Sequence, residues 1–134
     1  DRRRRGAMLA EAAIVFTLLL LVTLAAFQYG WLFYCAQRVT NAARQGARME
    51  SVLNAPPGKA AATMNGMVGD LLLPGDPLPY MDPTAPEGYR TAIVSVSAKG
   101  NPKVQILNWD LLPVPLHLRA EVTMAKEGEF ATAP

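Results

Sequence analysis

The stretch Ala12-Ala-Ile-Val-Phe-Thr-Leu-Leu-Leu-Leu-Val-Thr-Leu-Ala-Ala-Phe27 decides the architecture. It contains nothing more polar than threonine and lies inside an uncharged run of twenty-six residues, Ala12 to Gln37, between Glu11 and Arg38. At ~1.5 Å per residue a helix of that length exceeds the ~30 Å hydrocarbon core of a bilayer. The chain therefore reads as membrane-anchored by one span. Four consecutive arginines, Arg2 to Arg5, sit just ahead of it, against Arg38, Arg44 and Arg48 beyond it. Basic residues packed against the first span favour a cytoplasmic N-terminus and an exported C-terminal part, with Tyr29, Trp31, Phe33 and Tyr34 as the outer aromatic belt.

Glu11 stands one turn inside this apolar segment, where an unpaired carboxylate costs several kcal/mol. It needs a compensating charge or the headgroup layer. The surrounding residues, Arg2-Arg-Arg-Arg-Gly6-Ala7-Met-Leu-Ala-Glu11, place a basic run, a glycine and then a glutamate at the fifth position after it. This arrangement resembles a type IV prepilin signal. The resemblance implies that a prepilin peptidase cuts between Gly6 and Ala7, and that Glu11 pairs with the free amine of a neighbouring subunit during assembly. Further on, Phe27 to Arg48 carries an aromatic-glycine cluster and then the run Ala42-Ala-Arg-Gln-Gly-Ala-Arg48. Together these resemble the TadE-like family of tight-adherence (Flp-type) pilus pseudopilins, over roughly residues 2 to 50.

Beyond the span the helical pattern continues. Val39, Ala42, Ala43, Gly46, Met49 and Leu53 fall on one side, while Asn41, Arg44, Gln45 and Arg48 fall on the other. The spacing predicts one helix over 7–53. Ala26 with Gly30, and Ala42 with Gly46, stand in small-xxx-small relation, which lets another helix approach closely. Asn54-Ala-Pro-Pro-Gly58 stops the helix, and Lys59 to Leu73 reads as a second, shorter one. Prolines 74, 77, 79, 83 and 86 mark 74–86 as a surface loop. Three strands are expected after it, at Arg90 to Ala98, Lys103 to Trp109 and Pro115 to Met124, with Lys99-Gly-Asn-Pro102 as a turn and 125–134 as a loose tail.

Composition restricts the chemistry. Removing Asp1 and Arg2 to Arg5 takes thirteen basic residues to nine and eleven acidic residues to ten, so the formal charge of +2 becomes −1. That balance argues against a nucleic-acid groove. Cys35 is the only cysteine, which excludes an internal disulfide. His117 is the only histidine and falls on the polar face of a predicted strand, without a metal-ligand partner or a serine elbow. Asp76, Asp82, Glu87 and Asp110 lack the spacing of a calcium loop. The sequence offers no catalytic, cofactor or metal site.

The expected protein is α+β: a basic leader over 1–6, a long transmembrane helix over 7–53, and a small exported domain over 54–134 with a short helix and an antiparallel sheet of about three strands. The resemblance implies a minor pilin in a bacterial inner membrane that helps initiate or assemble pili for surface adherence. Its partners would be other pilins, the inner-membrane assembly machinery, the prepilin peptidase and the lipid bilayer. The alternative is a membrane-tethered adaptor that keeps its leader and stays out of the filament.

Overall fold

The computed structural model describes residues 2–52, 54–107 and 113–127. One helix, α1 (Arg2–Ser51), dominates it. The helix begins upstream of Ala7 and runs without a break through Gly6, so the basic residues and the apolar run share one axis. From Met8 to Phe27 its large apolar side chains are exposed, apart from the half-buried Leu24. Its upper half behaves differently. Leu32, Cys35, Val39, Ala42, Ala43 and Ala47 are buried and form one wall of the core, while Asn41, Arg44, Gln45 and Arg48 face outward. The predicted stripe is therefore the surface on which the rest of the chain folds.

Asn54, with φ 62°, and Gly58, with φ 79°, turn the chain back after α1. Positive φ is the region glycine and asparagine tolerate best. The second helix, α2 (Lys59–Val68), packs Ala60, Met64 and Val68 inward. It ends earlier than the predicted Leu73, because Gly69 closes it with an N–H bond to the Asn65 carbonyl and Asp70 leaves to meet Arg38. Gly46 makes the contact between the helices: a Cβ there would stand 2.2 Å from the Met64 sulfur.

The sheet has three antiparallel strands in the order β1 (Tyr80–Met81), β2 (Tyr89–Ser97), β3 (His117–Ala125). Register is set by pairs such as Val94 with Ala120 and Val96 with Leu118. Ala92, Val94 and Val96 alternate toward the core, as period-2 patterning requires. Across the opposite face the Thr91 and Thr123 hydroxyls lie 2.8 Å apart in a cross-strand hydrogen bond.

The strands and the tail depart from expectation. The predicted strand from Lys103 does not form over the described residues 103–107. Asn101 organises that segment as a turn instead: its Oδ1 accepts the Lys103 N–H and its backbone carbonyl accepts those of Val104 and Gln105. With Pro102 lacking a donor, the backbone is satisfied locally and has nothing to offer a ladder. The remaining part, 108–112, lies outside the described residues. The missing strand is supplied from the proline-rich loop, where Tyr80 pairs with Ile93 and Met81 with Ala92. At the other end, β3 reaches Ala125, and the Glu127 N–H donates to the Ser51 carbonyl at 2.9 Å. The expected loose tail is thus held at its start; residues 128–134 lie outside the described part.

Candidate membrane and assembly interface

The sequence-predicted site residues occupy two distinct settings along α1. Gly6, Ala7 and Glu11 are exposed in its lower half, and among the described residues Glu11 has neither an ion pair nor a hydrogen bond. Its carboxylate stands at the edge of an otherwise apolar, uncovered surface. Ala26 and Gly30 are also exposed, and among the described residues nothing beyond Gly30's own helix neighbours approaches its Cβ position within 4 Å. Ala42 and Gly46 are buried against the chain's own second helix and sheet. The lower small-residue pair is therefore open to a neighbour, whereas the upper pair already has its partner within the fold.

Between these halves, where the span meets the domain, side chains of α1 hold the chain segments that follow the sheet's central strand. Gln28, 1% exposed, accepts the Leu107 N–H through Oε1 at 2.9 Å. The Trp31 indole N–H donates to the Lys103 carbonyl at 3.0 Å, and the Tyr29 hydroxyl donates to the Pro113 carbonyl at 3.3 Å. Aromatic side chains with a polar edge suit the boundary between hydrocarbon and water. Two of the four expected belt residues thus also fasten the domain to the helix.

About two turns above Trp31, Arg38 reaches α2's end in a bidentate ion pair with Asp70, at 2.8 and 2.7 Å, and also donates to the Met67 carbonyl at 2.5 Å. The guanidinium hydrogen bonds hold the Asp70 carboxyl below the ordinary carboxylate range. In the sequence Arg38 reads as a charge just beyond the span and as part of the Phe27 to Arg48 run. Nothing in the local pattern links it to Asp70 across thirty-two positions.

Asp76, Ser97 and His117 also come together, at the end of the sheet. Burial pushes the Asp76 carboxyl up, but the Leu73 amide and the Ser97 hydroxyl and amide outweigh it, and the net pKa is lowered. The Ser97 hydroxyl donates to Asp76, and His117 Nδ1 lies 3.5 Å from it. In a nucleophilic triad the base accepts the serine proton and the acid orients the base. Here the carboxylate holds the serine, so the cluster ties the proline-rich loop to β2.

Among the described residues one helix, near the N-terminus, is long and apolar enough to cross a membrane, which fits a single-pass membrane protein whose small α+β domain is built on the upper half of that helix. Residues 6–48 match the family model described as TadE-like protein, so the segment with the apolar run and the Ala42 to Arg48 pattern is TadE-like. The match supports a role associated with tight-adherence pili, of pseudopilin type, and the family is a structural one. No curated protein and no solved structure matches the chain.

Proposed function

We propose that this protein is a minor pseudopilin that helps initiate or assemble tight-adherence pili for surface attachment. The observation that carries the reading is the TadE-like match over 6–48, which includes Gly6 and Glu11, on a helix whose lower half is bare. In a membrane, lipid covers that half. In a filament, the corresponding helices of other pilins cover it, and the open backbone at Ala26 and Gly30 favours their close approach. Glu11 then meets the free amine of a neighbour, created when a prepilin peptidase cuts between Gly6 and Ala7. The N-terminus is cytoplasmic and the α+β domain exported from a bacterial inner membrane, in keeping with Arg2 to Arg5. A membrane-tethered adaptor that escapes processing is the second reading.

The N-terminus of the protein recovered separately from native membranes and from sheared pili tests this. The proposal expects a chain starting at Ala7, with a fraction co-purifying with pili. A chain still carrying Arg2 to Arg5, confined to membranes, would replace the pseudopilin with the adaptor.

A further inference from the structure

The turn that replaces the predicted strand sits at a defined depth on the spanning helix. A ~30 Å hydrocarbon core takes about 20 helical residues, and twenty residues counted from Ala12 end at Trp31. Gln28 Oε1, accepting the Leu107 N–H, and the Trp31 indole, donating to the Lys103 carbonyl, hold Leu107 and Lys103 at that level. Between those two anchor points Ile106 is 58% exposed. It forms one wall of an open groove of about 390 Å³ whose other walls include Thr23, Ala26, Phe27, Gly30 and Trp31. Thr23 to Phe27 belong to the apolar span and Tyr34 lies above Trp31, so the groove runs along α1 from the apolar run up to the level of Ile106. The opposite end of the domain lies far from this level, because β3 finishes beside Ser51.

We infer that the segment Lys103–Leu107 is a second membrane contact: in the membrane-resident chain Ile106 enters the outer edge of the hydrocarbon, and a lipid acyl chain fills the groove beneath it. Continuity decides the occupant, since the groove floor is the same helix surface that lipid covers lower down. An exposed isoleucine clamped to interfacial aromatics gains by leaving water. The domain is thereby seated on the bilayer and not held away from it on a helical stalk. The inference rests on the membrane span and is independent of any part played in a pilus.

Nitroxide labels at Ile106→Cys, Phe27→Cys and Val52→Cys, each in a Cys35→Ala background of the full chain, test it in phosphatidylethanolamine–phosphatidylglycerol vesicles at high dilution. Oxygen, which concentrates in hydrocarbon, and a water-soluble nickel chelate compete to relax each label. The label at position 106 should resemble that at 27, with high oxygen and low nickel accessibility, while position 52 shows the reverse. Nickel accessibility at 106 equal to that at 52 would overturn the inference. So would shielding of 106 from both reagents, which would mean that protein covers the groove. If Cys35→Ala disturbs the fold, the native background serves, because Cys35 is fully buried and closed to the label.

Discussion

Gly46→Ala offers a quantitative test of how the domain is built on its helix. The new methyl would stand 2.2 Å from Met64 Sδ, 2.7 Å from Cγ and 2.9 Å from Cε, all inside contact distance, and Met64 is fully buried. Overpacking of this kind costs about 1–3 kcal/mol, offset by roughly 1 kcal/mol of helix propensity gained over glycine. The expected net loss is about 0–2 kcal/mol, too small to be decisive alone. Met64→Ala alone should cost about 2–5 kcal/mol through its cavity. In the double variant the added methyl meets no sulfur and occupies part of the vacated space. The two changes should then be strongly non-additive, by roughly 1–3 kcal/mol in favour of the pair. The assay is urea unfolding in mild detergent followed by tryptophan fluorescence, since Trp31 reports docking of the turn through its bond to Lys103. Additivity within about 0.5 kcal/mol would refute the claim that Gly46 exists to admit Met64.

Asp70 and Asp76 both have lowered pKa values in the fold, so each contributes stability above the unfolded carboxylate pKa of about 3.9, and that contribution is lost as pH falls through the folded values. Acid titration of domain unfolding should show a drop beginning near pH 4, with Asp70→Asn removing part of it; because the Asp70 side chain is 60% exposed, solvent screening limits its share to ~1 kcal/mol. Asn101→Ala should be far more damaging, at about 3 kcal/mol or more, because the buried amide donates to the Leu71 and Ser97 carbonyls and accepts the Lys103 N–H. Urea midpoints within error of wild type for that variant would contradict the role given to Asn101 in shaping the turn.

The long helix was legible because its two cues are local: an uncharged run sets the span, and the 3.6-residue stripe from Val39 to Gly46 sets the packed face. Strands β2 and β3 were legible for the same reason, as alternation survives in Ala92, Val94 and Val96 and in Leu118 and Ala120. What failed is non-local. Val104 and Gln105 look like strand residues, yet Asn101 captures their N–H groups, and a two-residue strand hidden among prolines gains its identity only by pairing with Ile93 and Ala92. The site shows the same division. The spacing of Gly6, Glu11 and the Ala26–Gly30 pair is local and suggests the proposed site, whereas the closed environment of Gly46 depends on Met64, eighteen residues later. Gln28 interrupts the apolar run with a polar side chain, and that side chain holds Leu107.

The central claim, that the bare lower helix assembles with neighbours through Glu11, is tested most directly by Glu11→Gln in the native host. The change keeps size and hydrogen-bonding capacity but removes the charge. If Glu11 meets an amine in apolar surroundings, its loss strands the partner charge at a cost of roughly 3–5 kcal/mol. If it is wetted at the headgroups, the cost is at most about 1 kcal/mol. Surface pili are counted alongside the membrane level of the variant. The account predicts normal membrane levels with sharply fewer pili; normal levels with a normal number of pili would contradict it.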